Sequence, residues 1–397
     1  MHLRSRSLIG IFALVGLLWP VAGQSQQTDL GNTLVLRSEV LDELRKIYVS
    51  LPSSYHQCRR SYPVLYVLDA NWHFSVVASQ VRYLSECGAS DIIAPELIVV
   101  GIENIDRDRD FTPTHVPEYK GMEFPTSGGA PEFLRFLADE LIPLIDSSYR
   151  TVDQRVLAGW SFGGLFAYYA LLEEPSLFNG FIGISPSVWW EDEALLDRQV
   201  AGSAGPPTRL ITTIGSDEAG GMNHNAVTRL VGQLGTDPVA GLEATLITID
   251  GAGHNQSLPL AYYRAVRHLY SDWLAPDEIV GAGRERVELY YRELSRVYGY
   301  QVPIPEQVLV RLALDRYGAD EFDAARSIMA ETVELYPESS MARYLLGRVD
   351  YKRGELEAAR TGYLEAIALE QRRQPPDGLN LRHYRSRLAE LEDERAE

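Results

Sequence analysis

From residue 33 to residue 274, short runs of apolar and β-branched residues alternate with longer segments of helical periodicity. The later runs are almost continuously apolar, which is typical of strands buried on both faces of a sheet. This alternation predicts an α/β fold with a mostly parallel central sheet covered by helices on both faces. The first two strands should form an antiparallel hairpin at one edge. The predicted strands are 33–37, 45–51, 64–69, 97–102, 155–159, 181–185, 210–215 and 244–250, and the predicted helices are 73–87, 131–147, 163–174, 223–234 and 258–274.

Beyond residue 275 the strand signals stop, and residues 280–397 are predicted to form a smaller, all-α domain behind a sheet domain of residues 30–275. An internal repeat runs through this tail, and its period of 34 residues is that of tetratricopeptide helix–turn–helix units. Two repeats are fewer than such a stack needs on its own, so either a helix near 285–299 completes it or the tail docks on the sheet domain. The matching residues are Tyr317, Glu321, Ala324, Ala325, Arg326 and Leu335, which recur as Tyr351, Glu355, Ala358, Ala359, Arg360 and Leu369.

Residues 1–23 have the pattern of an export signal. Arg4 and Arg6 precede an apolar run of about 12 residues, which is shorter than the roughly 20 that span a bilayer. The sequence therefore predicts a periplasmic or secreted protein with no membrane span after cleavage. Cys58 and Cys87 could pair as a disulfide in such a compartment or stay unpaired thiols.

The charge of the chain bears on its partners. The formal net charge is -18, which argues against nucleic acid or an anionic membrane surface as a partner. The sequence contains no glycine-rich phosphate loop and no metal-ligand spacing, so no cofactor and no metal are predicted.

The segment with the clearest chemical meaning is Gly-x-Ser-x-Gly at residues 159–163, which lies directly between a predicted strand and a predicted helix. In a nucleophile elbow, a sharp strand-to-helix turn holds the serine in a strained conformation, and side chains at the flanking positions would collide. The serine hydroxyl then lies at the N-terminus of the helix, where negative charge is stabilised. Ser161 is therefore the predicted nucleophile.

A base and an acid are expected after the later strands, because hydrolases with such an elbow use the chain order serine, acid, histidine. His254 follows the last predicted strand in the glycine-rich segment 250–255, whereas its nearest competitor, His224, falls at the start of a helix. The acid should follow strand 210–215, where Asp217 and Glu218 are adjacent. Spacing from the glycine that ends this strand favours Glu218, and Asp217 remains the alternative.

Two backbone N–H groups are expected to form an oxyanion hole. One is that of Phe162, directly after the nucleophile. The other should come from the loop at 69–72, with Asn71 as the candidate and Ala70 and Trp72 as alternatives.

Four tryptophans, Trp72, Trp160, Trp189 and Trp190, fall in segments that lead to the carboxyl edge of the sheet. Ligands bind at this edge in α/β folds, and aromatic faces would suit an aryl or bulky ester. We expect these tryptophans to bind substrate, although ordinary packing is expected for at least two of them.

Together these segments resemble the putative esterase family, and most closely its enterochelin-esterase-like branch. The resemblance rests on Tyr-Pro-Val-Leu-Tyr-Val-Leu-Asp at 62–69, the elbow, Ser-Pro-Ser-Val-Trp-Trp at 185–190 and Gly-Ala-Gly-His-Asn at 251–255. It covers about residues 30–275 and implies an α/β-hydrolase fold, a Ser–acid–His triad and metal-free hydrolysis of a small-molecule ester, including aromatic and siderophore-type esters. The helical tail is not part of the family core and suggests a protein partner. The alternative function is a non-catalytic interaction scaffold that uses the helical repeats.

Overall fold

The computed structural model describes residues 27–28, 31–86, 92–200, 206–236, 238–373 and 376–396. The predicted export signal at 1–23 and Cys87 lie outside these ranges, so neither the signal nor a disulfide to Cys58 is tested. The strands are β1 (Gln27–Thr28), β2 (Gly31–Ser38), β3 (Glu43–Ser50), β4 (Tyr62–Val67), β5 (Ile98–Ile102), β6 (Glu118–Tyr119), β7 (Met122–Glu123), β8 (Thr151–Trp160), β9 (Gly180–Ile184), β10 (Thr208–Gly215) and β11 (Leu242–Ile249). The helices are α1 (Ala70–Glu86), α2 (Arg107–Phe111), α3 (Ala130–Phe136), α4 (Ile142–Ser148), α5 (Phe162–Glu173), α6 (Trp190–Glu193), α7 (Met222–Thr236), α8 (Leu258–Leu269), α9 (Asp277–Gly281), α10 (Arg284–Tyr298), α11 (Glu306–Gly318), α12 (Phe322–Leu335), α13 (Ser340–Lys352), α14 (Leu356–Arg372) and α15 (Gly378–Ala396).

The main sheet has the strand order β1-β2-β3-β5-β4-β8-β9-β10-β11. Within this sheet, β5, β4, β8, β9, β10 and β11 are all parallel, while β2 and β3 form the predicted antiparallel hairpin toward one edge. This arrangement confirms the α/β class, and each of the eight strands predicted from the sequence overlaps an observed strand. The carboxyl ends of β4, β8, β9, β10 and β11 meet at one edge, so the loops that follow them converge there.

Helices cover both faces of the sheet because both faces are apolar. One face packs against α3, α4, α5 and α7, and the other against α1 and α8. The central helix α5 is buried at eleven of its twelve positions, which explains why it shows no polar face. It follows β8, the strand that carries the elbow.

In the helical tail, α11 packs against α12 and α13 packs against α14, and the second pair repeats the first. Helices α11 and α13 begin 34 residues apart, and so do α12 and α14. Helices α13 and α14 approach closely at Gly347 and Gly362, where an added Cβ on Gly362 would lie 3.0 Å from the Cα of Gly347. The apolar core of this region is continuous with the core under α1 and α8. Within the described ranges, no helix has the length and hydropathy needed to cross a bilayer.

Candidate active site

Ser161 lies at the sharp turn between β8 and α5. Its φ of 56° and ψ of -114° fall outside the regions that L-residues normally adopt, which is the strained geometry expected of a nucleophile elbow. Two backbone hydrogen bonds hold this turn: the Ser161 N–H donates to the carbonyl of Ile184 at 2.9 Å, and the Ser187 N–H donates to the carbonyl of Ser161 at 3.0 Å. The loop after β9 therefore braces the elbow.

The glycines around Ser161 contribute unequally to the turn. A Cβ on Gly159 would lie 2.2 Å from the backbone oxygen of Gly163, and a Cβ on Gly164 would lie 2.8 Å from the Cβ of Pro186. Gly163, the last residue of the motif, is less crowded, since its Cβ would approach Asp69 Oδ2 to 3.3 Å. The collision expected at both motif glycines is thus severe at Gly159, whereas on the helix side it is severe at the following residue, Gly164.

His254 and Glu218 lie against each other on the loops after β11 and β10. The distance between His254 Nδ1 and Glu218 Oε2 is 2.9 Å, and the His254 side chain keeps 32% of its exposure. Asp217 is exposed and accepts a hydrogen bond from Ser216 Oγ at 3.1 Å. Of the two adjacent carboxylates, Glu218 is the one that contacts the histidine.

The Glu218 carboxylate is surrounded by donors. Burial by itself would raise the pKa of Glu218, but hydrogen bonds from His254, Ser185 Oγ, the Gly215 N–H and Asn223 lower it to about 2. The Ser185 and Gly215 bonds measure 2.7 and 3.0 Å and go to Oε1, while the Asn223 bond measures 3.2 Å and goes to Oε2. Glu218 is therefore ionised at neutral pH and held in one orientation.

Three residues near this pair were not identified as site residues by the sequence reasoning. Ser185 and Asn223 bind the Glu218 carboxylate, and the buried Ser187 places its Oγ 3.1 Å from Ser161 Oγ. Ser185 and Ser187 belong to the 185–190 segment that resembles the family, so a signal for them was present. Asn223 had no comparable signal, because only the fold brings α7 beside His254.

The hydroxyl of Ser161 is directed toward Ser187 in this conformation, and the contact of His254 Nδ1 with Glu218 leaves Nε2 as the ring nitrogen for proton exchange. The indole of Trp160 lies beside the His254 ring, with centroids 4.9 Å apart and the planes tilted by 41°, and its Nε1 donates to the His254 carbonyl at 3.1 Å. The residue before the nucleophile thus holds the loop that carries the histidine.

The backbone N–H groups predicted for the oxyanion hole lie at helix N-termini. Phe162 is the first residue of α5, and Ala70 and Asn71 are the first two of α1, where N–H groups have no acceptor within the helix. The Trp72 N–H instead donates to the Asp69 carbonyl at 3.0 Å. This bond removes Trp72 from the three alternatives and leaves Asn71 and Ala70.

The four tryptophans separate into exposed and buried ones. Trp72 is 59% exposed and Trp160 is half-buried, whereas Trp189 and Trp190 are 8% and 1% exposed. Trp190 donates to Thr114 Oγ1 at 2.9 Å and packs against Phe124 and Phe162. The expectation that Trp190 contacts substrate is therefore wrong, because its ring is enclosed in the core.

The Trp189 ring packs beside the ring of Phe162, with centroids 5.8 Å apart. It stacks on Tyr119 with ring centroids 5.8 Å apart and an interplanar angle of 15°. Its Nε1 donates to Asn223 Oδ1. The ring is thus fixed between the β6–β7 hairpin and α7.

Arg107 contacts the residues that precede both α1 and Ser161. Its guanidinium bonds the buried Asp69 through Nε at 3.0 Å and the carbonyl of Trp160 at 2.8 Å. Since Asp69 directly precedes α1 and Trp160 directly precedes Ser161, these contacts of Arg107 connect the two helix N-termini.

Among the residues that the structure describes, no group of three or more histidine, cysteine or acidic side chains is arranged to hold a metal ion.

The sequence of this chain is similar to those of proteins named as esterases. The family model described as "Putative esterase" matches residues 38–237. The ferri-bacillibactin esterase of Bacillus subtilis is 32% identical over 241 residues, which are 56% of this chain and 83% of the relative. The siderophore enterobactin esterase of Emericella nidulans is 30% identical over 162 residues, which are 36% of this chain and 54% of the relative.

Solved structures extend the comparison to the fold. An IroE-like serine hydrolase from Shewanella oneidensis superposes with a TM-score of 0.66 at 26% identity, over 79% of this chain and all of that one. An uncharacterised protein from Capnocytophaga ochracea superposes with a TM-score of 0.57 at 19% identity, over 91% of this chain and 99% of that one. The second likeness shows a shared fold that extends into the helical tail.

Proposed function

This chain belongs to the putative esterase family and is a serine esterase, and we propose that it cleaves its ester through an acyl-enzyme on Ser161 with His254 as base and Glu218 as acid. The observation that carries the proposal is the His254–Glu218 pair, 2.9 Å apart, on the loops at the same sheet edge as the strained Ser161 elbow.

In the first half of the reaction, Ser161 Oγ attacks the ester carbonyl carbon and His254 Nε2 takes the hydroxyl proton. For this step the hydroxyl turns from Ser187 toward the histidine, since catalytic hydrogen bonds commonly form only when substrate binds. The carbonyl oxygen gains the negative charge, and the N–H groups of Phe162 and of Asn71 or Ala70 stabilise it. Each such donor contributes about 3–4 kcal/mol in a transition state.

Acylation is complete when the carbon–oxygen bond of the ester breaks and the leaving alkoxide receives the proton from His254 Nε2. Water then attacks the acyl-enzyme while the same nitrogen takes its proton, and the proton returns to Ser161 Oγ as the acid departs. Glu218 stays ionised throughout, keeps the proton of the neutral imidazole on Nδ1 and stabilises the imidazolium.

The substrate we propose is an aromatic or siderophore-type ester. Relatives are named for ferri-bacillibactin and enterobactin. The exposed Trp72 and the partly exposed Tyr119, which stacks on Trp189, offer aromatic surfaces on which aryl groups can pack. We further propose that the protein acts in the periplasm or outside the cell, as the segment at 1–23 suggests.

The alternative of a non-catalytic scaffold is not favoured, since relatives of the sheet domain are named esterases. A protein partner of the helical tail remains a proposal without support from these relatives.

A fluorophosphonate probe tests the mechanism directly. We expect the wild-type protein to be labelled, and Ser161→Ala and His254→Ala to lose labelling and to lower kcat by about 10⁴–10⁶ with the fold retained. Circular dichroism of each variant checks the fold. A wild-type protein that is not labelled would contradict the proposal.

The substrate is tested by comparing hydrolysis of p-nitrophenyl esters, feruloyl esters and a catecholate trilactone. We expect a higher kcat/KM for aryl acyl groups than for simple alkyl acyl groups carried on the same leaving alcohol, and the reverse preference would rule out the substrate class.

A further inference from the structure

We propose that Asn223 is a positioning residue for the reaction, which orients the Glu218–His254 pair and connects it to the buried ring of Trp189. The inference rests on the proposed function, because it gives Asn223 a role only if Glu218 and His254 work as acid and base. Asn223 lies in the first turn of α7, the helix that follows the Glu218 loop.

The contacts of Asn223 determine which way its amide faces. Trp189 Nε1–H can only donate, and it donates to Asn223 Oδ1. The amide nitrogen Nδ2 must therefore face the other side, where it lies 3.2 Å from Glu218 Oε2 and 2.9 Å from His254 Nδ1. Trp189 thus sets the orientation of the amide.

The Glu218 carboxylate sets the proton on His254, and Asn223 binds one oxygen of that carboxylate. Nδ2 is a donor and Glu218 is an ionised acceptor, so both Asn223 Nδ2 and His254 Nδ1–H donate to Glu218. A histidine with the proton on Nδ1 presents a bare Nε2, the form that can take a proton from Ser161. Asn223 therefore acts through Glu218: it holds Oε2 in the position that accepts from His254 Nδ1–H, and it does not bond the protonated Nδ1 itself.

The charged groups around the pair are few. Glu218 faces His254 from the turn after β10, and Asp217 beside it is exposed. Across the Trp160 ring lies Arg107, neutralised by Asp69. On α7 itself, His224 follows Asn223, and Arg229 pairs with Glu193. Among the residues that the structure describes, the charged groups named here leave the imidazolium as the cation that a second anion at residue 223 would meet.

Asn223→Asp separates positioning from packing. Aspartate keeps an acceptor for Trp189 but replaces the donor with an oxygen that faces Glu218 and His254. We expect the acid limb of the kcat/KM pH profile to move about one unit to higher pH, since the added charge stabilises the imidazolium. We also expect kcat at neutral pH to fall about tenfold or more, with KM changed less than about threefold.

Asn225→Asp is the matched control. It lies on the same helix, is exposed, and adds the same charge away from the site. We expect its pH profile and kcat to match those of the wild type. An Asn223→Asp profile that overlays those of the wild type and Asn225→Asp would overturn the inference.

Asn223→Ala completes the test, because it removes the amide contacts with Trp189, Glu218 and the Ser185 carbonyl without adding charge. We expect kcat to fall about tenfold or more while the thermal midpoint stays near that of Asn225→Ala, and unchanged kcat would count against positioning. Fluorophosphonate labelling of the wild type and its loss in Ser161→Ala are read in parallel. If that labelling behaves as expected and Asn223 is silent, the proposed function stands and this inference fails.

Discussion

Glu218 and Asp217 are adjacent acids in nearly opposite situations. Glu218 is 8% exposed and receives four hydrogen bonds, while Asp217 is solvated. Adjacent residues on a tight turn point in different directions, so their side chains meet different neighbours. The difference between them can be measured by substitutions that remove charge and keep size.

We expect Glu218→Gln to lower kcat by about 10²–10⁴, because glutamine cannot stabilise the imidazolium and its amide can impose the wrong tautomer. Asp217→Asn should leave kcat within about twofold of the wild type. Steady-state kinetics on a chromogenic ester measures both. A larger loss in Asp217→Asn would reverse the assignment of the acid.

The same variant gives a check through stability. The pKa of Glu218 falls from 4.5 to about 2 on folding, so its contribution to stability is full above pH about 4.5 and is lost as the pH falls toward 2. The free energy of unfolding of Glu218→Gln should therefore differ from that of the wild type more at pH 7 than at pH 3 in urea titrations. Equal differences at both values would mean that the carboxylate is not held as described.

At the scale of single elements, the backbone of the elbow between β8 and α5 is packed too closely to admit a side chain at Gly159. The backbone of Gly163 passes so close to Gly159 that only a residue without a side chain fits. Because Ser161 is strained, the turn persists only through the packing around it.

We expect Gly159→Ala to destabilise the protein by about 1–3 kcal/mol or more and to lower fluorophosphonate labelling, because its Cβ would meet the Gly163 oxygen at 2.2 Å. Gly232→Ala is the control: it lies within α7 and its Cβ would meet nothing within 4 Å. It should instead stabilise the protein by about 0.5–1 kcal/mol. Urea unfolding compares the two, and a neutral Gly159→Ala would show that the turn tolerates a side chain.

At the scale of the whole molecule, the helical tail is joined to the sheet domain by a shared core and buried hydrogen bonds. The Tyr291 hydroxyl donates to the carbonyl of Trp273 and accepts from the Ala275 N–H, both at 3.0 Å, and its ring is buried. Farther along, Arg60 of the sheet domain pairs with Glu338 of the tail. Of the two sequence-based alternatives for the tail, docking on the sheet domain fits these contacts.

We expect Tyr291→Phe to lower the free energy of unfolding by about 1–3 kcal/mol, since it leaves a buried N–H and a buried carbonyl without their partner. Tyr83→Phe is the control, because Tyr83 is 60% exposed. If the two parts unfold as one unit, calorimetry of Tyr291→Phe should show a single transition at lower temperature. A second transition that moves alone would indicate that the tail folds independently.

Features of the fold and of the site could be predicted from the sequence where they depend on residues that are close together in the chain. Strands, helices and the elbow each depend on a few neighbouring residues. The periodicity of apolar residues therefore predicted the α/β class, and the Gly-x-Ser-x-Gly motif predicted the position of Ser161. His254 was predicted as the base because it follows the last predicted strand, where the chain order serine, acid, histidine places it. The 34-residue repeat likewise predicted the spacing of the tail helices.

Only the tertiary structure decided which side chains touch. It brought Glu218 rather than Asp217 to His254, enclosed Trp190 while leaving Trp72 exposed, and set Asn223 between Trp189 and the acid. These contacts join residues from separate elements, and they depend on side-chain directions and packing distances of a few ångströms. A one-dimensional pattern carries no such information, because periodicity defines the face of an element but not the neighbour that covers it.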